Sequence, residues 1–72
     1  MERENVKITV NGDDLTVPGH ISVVKELLQH FELTDRIVMV ELNHEVIDHS
    51  SHHTQPISEG DQLQLVQFVG GG

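Results

Sequence analysis

Hydrophobic and polar positions alternate from the start of the chain. Val6, Ile8 and Val10 alternate with Lys7 and Thr9, the period of two that predicts a half-buried strand. Asn11-Gly12 follows, a dipeptide suited to the type I′ hairpin turn, whose two central residues both need positive φ. Leu15 and Val17 continue the alternation on a return strand, and Pro18-Gly19 ends it. The period then changes. Ser22 is placed to cap a helix running to about Phe31. At about 100° per residue, Val23, Val24, Leu27, Leu28 and Phe31 fall within one arc of about 140°, and Lys25, Glu26, Gln29 and His30 occupy the rest. "RIVMVELNHEVI" predicts a third strand, a turn at Asn43-His44 and a short fourth strand. "DHSSHHTQPISEGD" reads as a polar connection with a turn at Glu59-Gly60, and "QLQLVQFV" as the last strand.

The predicted order is hairpin, helix, strand pair, loop, strand. One amphipathic helix can bury its stripe only against one face of such a sheet, so the fold class is α+β. The helix-facing positions are expected to be Val6, Ile8, Val10, Leu15, Val17, Leu63 and Leu65. The last strand then departs from a clean alternation. Gln62 and Gln64 point away from the core, but so do Val66 and Phe68, while a strict period puts Gln67 on the core side at the sheet's edge. If Val38, Val40 and Leu42 face the core, Ile37 and Met39 face outward. The helix-free face is therefore expected to expose Ile37, Met39, Val66 and Phe68, a cluster that fits a partner interface. A local twist that tucks Phe68 over the edge of the sheet is the alternative.

Composition narrows the function. Four Lys/Arg against twelve Asp/Glu give a net charge of −8. That opposes binding to nucleic acid or an anionic membrane and favours a basic or neutral protein partner. Charge can equally serve solubility alone. Seventy-two residues allow one small domain with a modest core, and no cysteine is present to staple it. "MERENVK" lacks the apolar stretch of a signal peptide, and no run is long enough for a membrane helix, so a cytoplasmic, soluble protein is expected.

The chain closes on "FVGGG". Glycine costs the most backbone entropy to order, so Gly70 to Gly72 are poor structural material. They suit a thin arm whose backbone can approach a ligand closely inside another protein. A span from Val69 to Gly72 reaches at most about 13–14 Å. The chain is accordingly divided into a domain over 1–69 and a flexible glycine tail over 70–72.

With the "NG" hairpin, "VMVELNHEVI", "ISEGDQL" and the terminal Gly-Gly, the whole chain resembles the ubiquitin-like β-grasp sulfur carriers, and within them the ThiS type of thiamine biosynthesis. The resemblance implies a mixed four- to five-stranded sheet with one main helix on one face. It implies that an E1-like adenylyltransferase of the ThiF type uses ATP and Mg²⁺ to adenylate the carboxylate of Gly72, with Gly71 as the penultimate glycine. Sulfur from a cysteine desulfurase route then yields a thiocarboxylate that a thiazole synthase of the ThiG type consumes. The chain itself would be a co-substrate, not an enzyme, and would hold no cofactor. The absence of cysteine agrees, because a carrier of persulfide sulfur needs its own thiol.

Other readings stand beside this one. A molybdopterin-synthase small subunit shares the tail and its chemistry, and a protein-conjugating modifier is a third variant. His44, His49, His52 and His53 raise the question of zinc or copper, although structural zinc sites need four convergent ligands. A freestanding enzyme lacks both a nucleophile motif and room for a deep pocket. A plain interaction domain with a glycine linker remains the simplest alternative.

Overall fold

A computed structural model of the chain describes residues 4–33 and 38–67. Its elements are β1 (Asn5–Val10), β2 (Asp13–Pro18), α1 (Val24–His30), β3 (Val38–Leu42), β4 (Glu45–Ile47), a 3-10 turn (His49–Ser51) and β5 (Gln62–Gln67). The strands form one mixed sheet in the order β2-β1-β5-β3-β4. The last strand therefore lies in the middle. It runs parallel to β1 and antiparallel to β3.

The hairpins form as their turn residues require. Asn11 and Gly12 have φ of 51° and 85°, and Asn43 and His44 have 52° and 72°. Both pairs are left-handed, the type I′ geometry that matches the twist of the flanking strands. Alternation then sets the faces. Val6, Ile8, Val10, Val17, Val40, Leu42, Leu63 and Leu65 are buried with Val24, Leu27 and Leu28 of α1, and Leu15 and Val38 pack partly against them. Each such side chain, fully buried, contributes about 1.5–3 kcal/mol.

Both asparagines of the turns also act on β5. Asn43 N–H donates to the Gln62 carbonyl at 2.7 Å, and its side-chain oxygen accepts the Gln62 N–H at 3.0 Å. At the other end, Asn11 N–H donates to the Leu63 carbonyl at 2.9 Å. The Asn11 amide then engages both backbone groups of Leu65, accepting its N–H at 2.8 Å and donating to its carbonyl at 3.2 Å.

The helix departs from expectation at its start. Ser22 does not cap it; Val23 is the N-cap residue, and the helix is Val24–His30 with Phe31 as its C-cap residue, the end that the pattern predicts. The Ser22 N–H and hydroxyl instead both donate to Glu26 Oε1, at 2.7 and 3.0 Å. These two bonds, the backbone one foremost, hold the Glu26 carboxyl below its usual range. The helix's own first amides are met from a distance. Val24 N–H donates to the Gln55 carbonyl and Lys25 N–H to the His52 carbonyl. No local pattern foretells a cap supplied from about thirty residues away.

The connection after β4 is accordingly not a solvated loop. Pro56 bridges to Val23, and Ile57 is buried, as is Ile21 before the helix. His52 is 6% exposed, and its Nε2 has no hydrogen-bond partner. Burial, chiefly, lowers its pKa below 6.5, and the neighbouring His49 acts the same way, against a hydrogen bond with the Ile47 backbone that raises it. The helix ends in a Schellman motif: Leu33 N–H donates to the Leu28 carbonyl and Glu32 N–H to that of Gln29. Its left-handed residue is Glu32, at φ 61°, where glycine is usual.

Two outcomes follow from these terminal contacts. Glu32→Gly relieves the left-handed strain and raises stability by about 0.5–1 kcal/mol, net of the entropy glycine adds to the unfolded chain, as read by urea denaturation. His52 binds its proton more weakly folded than unfolded. Its contribution is thus present above about pH 6.5 and is lost as pH falls from there through the folded-state value. Denaturation midpoints between pH 8 and pH 5 should show this decline, and His52→Gln should flatten it. An equally steep decline in the variant would assign the effect to other groups.

Candidate functional site

The alternation of β5 sends Leu63 and Leu65 beneath the helix and Gln62, Gln64 and Val66 to the open face. In the ladder with β3, Met39 lies directly opposite Val66, Glu41 opposite Gln64 and Val38 opposite Gln67. Met39 and Val66, 37% and 39% exposed, are thus a cross-strand pair on the helix-free face. Directly opposed side chains of an antiparallel pair stand about 4.5–5.5 Å apart at Cβ, so they form one apolar surface. The expected juxtaposition of these two is present.

Val46 on β4, 57% exposed, extends the surface. It pairs with Glu41, which places it diagonally from Met39 on the same face. Sequence reasoning missed it. The period-two signal over a strand of three residues is too short to assign a face, although the alternation of Val46 with Ile47 was available. Ile37, Phe68, Gly70, Gly71 and Gly72 lie outside the described residues. Gln67 falls on the helix-facing side, opposite Val38 as the strict period requires, but it is exposed there and ends a central strand, not an edge strand.

Polar groups border the apolar strip. Glu41 is half-buried beside Gln64, and an open cleft of about 280 Å³ runs between them, Thr9, Gln62 and His44. That is below the usual range for a small-molecule site, about 300–1,000 Å³. It can admit a side chain of another protein more readily than it can enclose a substrate. With acidic groups prevailing in the chain, a cationic side chain is the complementary one.

The histidines do not assemble. His44 sits in the β3–β4 turn, His53 is exposed, and His49 and His52 meet only as tilted rings 5.3 Å apart. Among the described residues, no three His, Asp or Glu side chains converge as metal ligands. No helix among them is long and apolar enough to cross a membrane.

Known proteins share this arrangement. The model of the ThiS family matches residues 4–72. The sulfur carrier protein ThiS of Bacillus subtilis is 32% identical over 65 residues, which cover 90% of this chain and 98% of that one. A thiazole synthase of Paramagnetospirillum magneticum is 33% identical over 67 residues, 93% of this chain but 20% of that protein. The crystal structure of the thiamine biosynthesis protein ThiS from Geobacter metallireducens superposes with a TM-score of 0.77 at 36% identity, covering 93% of this chain and all of that one. These matches decide for the thiamine type over the molybdopterin type: the chain has the ubiquitin-like β-grasp fold and belongs to the ThiS family of sulfur carriers of thiamine biosynthesis.

Proposed function

We propose that the group this carrier loads is the carboxylate of Gly72. A carboxylate is a poor electrophile until it bears a leaving group. In the proposed sequence, a Gly72 oxygen attacks the α-phosphorus of Mg·ATP in an E1-like, ThiF-type enzyme, and pyrophosphate leaves. A persulfide supplied by a cysteine desulfurase route then attacks the carbonyl carbon and AMP leaves. A thiol next cleaves the resulting acyl disulfide, is itself oxidised to a disulfide, and frees the C-terminal thiocarboxylate. The thiocarboxylate passes its sulfur to a ThiG-type thiazole synthase. The observation that carries this reading is the family match running through Gly72. The thiazole synthase that contains a segment similar to this chain supports contact between carrier and synthase.

In this reading the chain is a co-substrate. Gly70 and Gly71 form the narrow part of the arm, because residues without Cβ let backbone pass close to the nucleotide. Met39, Val66 and Val46, with Phe68 and Ile37, form the face on which partners dock. Of these, Met39, Val66 and Val46 are exposed apolar groups in one cluster, and such groups anchor interfaces when a partner covers them.

Intact mass after incubation with ATP, Mg²⁺, the E1-like enzyme and a sulfur source should show one oxygen replaced by sulfur at the C-terminus. One alanine added after Gly72 is expected to abolish adenylation, and undiminished turnover of that variant excludes Gly72 as the reacting residue. Val66→Asp places a charge in the docking face while leaving the core untouched. It should weaken binding to the E1-like enzyme at least about tenfold in a titration, with an unchanged circular dichroism spectrum.

A further inference from the structure

We propose that Asn11 is a positioning residue for the reacting arm: its side chain substitutes for a strand and fixes the direction in which β5 delivers the chain toward Gly72. This rests on the reading that Gly72 is the loaded residue. The geometry comes from the β1–β5 ladder. Its paired residues are Thr9 with Gln62 and Val10 with Leu63, after which β1 turns away at Asn11-Gly12. Beyond Leu63, backbone pairing of β5 continues on the β3 side, through Leu65, Val66 and Gln67. On the β1 side the Asn11 amide takes over. It accepts the Leu65 N–H at 2.8 Å and donates to the Leu65 carbonyl at 3.2 Å, as a peptide group of an adjacent strand would. Leu65 offers one donor and one acceptor there, so the two bonds fix which end of the amide faces which.

Leu65 is the last core residue of β5, and Val66, the next, belongs to the docking face. Holding Leu65 on the β1 side, with its neighbours Gln64 and Val66 paired to β3 on the other, keeps the pleat in register, so Val66 stays outward and Leu65 stays under the helix. It also fixes the direction of β5 up to Gln67, its last residue. An arm that must place one carboxylate against a nucleotide reacts faster when its approach is already restricted, because less orientational freedom is lost at the moment of reaction. The left-handed backbone of Asn11 makes the contact available. At φ 51° the backbone leaves the β1 ladder and the side chain reaches Leu65, beyond the last paired residue Leu63, and asparagine adopts this region more readily than most residues.

The test uses the full chain with Asn11→Gly and Asn11→Asp. Gly-Gly still satisfies the type I′ turn, so Asn11→Gly removes both bonds and keeps the hairpin. Asn11→Asp keeps the acceptor for the Leu65 N–H and loses the donor to its carbonyl. Amide hydrogen exchange at Leu65 should accelerate about tenfold in Asn11→Gly and far less in Asn11→Asp, with the α1 amides unchanged. With the E1-like enzyme, kcat for adenylation should fall about tenfold in Asn11→Gly while KM stays within about twofold, because docking relies on the β3-paired face. Asn11→Asp should recover part of the rate. Val66→Asp should do the reverse, raising KM and sparing kcat. Unchanged exchange at Leu65 overturns the clamp. Faster exchange with an unchanged kcat overturns the positioning role. A parent chain that is not adenylated at all overturns the assignment of Gly72, and the positioning role with it, while exchange at Leu65 still reports on the clamp. If Asn11→Gly does not fold, Asn11→Asp decides alone: its kcat must fall with KM held.

Discussion

The structure depends on the pairing of its first strand with its last. β1 and β5 run parallel at the centre of the sheet, so closing that contact brings together residues more than fifty positions apart. Parallel neighbours cannot be joined by a tight turn, and the intervening chain has to cross over and return. Everything else hangs on this ladder. β2 pairs only with β1, and β3 with β4 reaches the sheet only through β5. The helix then covers the buried face that these strands assemble. A short parallel ladder is a weak joint for such a task. Two left-handed asparagines reinforce β5, Asn43 where it begins and Asn11 where β1 leaves it.

The same placement connects fold to function. A strand in the centre of a sheet is held on both sides, so the residues that follow it start from a defined point. An edge strand would offer a looser origin. The alternation of β5 also gives one strand two tasks. Leu63 and Leu65 contribute to the core, while Val66 meets Met39 on the open face, with Val46 beside them. β5 thus contributes both to the core and to the exposed apolar face.

The loop between β4 and β5 shows how polar composition misleads. Its serines and histidines read as a solvated connection, yet its carbonyls at His52 and Gln55 meet the first amides of α1, and Ile57 closes the core. A helix of seven residues has few bonds of its own, and its unsatisfied N–H groups need partners. Ser22 is the right residue type for a local cap. It binds Glu26 instead, because the loop already occupies the position where a cap would act.

Local patterns were sufficient for the five strands, the helix and the two hairpins, and for the faces of every strand long enough to show a period; the three-residue β4, with Val46, was too short. Period two placed Val6, Ile8, Val10, Val17, Leu63 and Leu65 inside, and the break after Leu65 placed Val66 and Met39 outside, since a side chain's face follows from its count along a strand. The Asn-Gly turn was equally legible, because positive φ selects few residue types. The strand order, the burial of His52, the cap from Gln55 and the bonds from Asn11 to Leu65 were not. Each joins residues far apart in the chain, and no periodicity records which distant segment will supply a partner. The sequence by itself determined which residues could face a core and which could face a partner. The tertiary structure decided that the strand leading to Gly72 is the central one, because only the closed sheet brings Asn11 and Leu65 within hydrogen-bond distance.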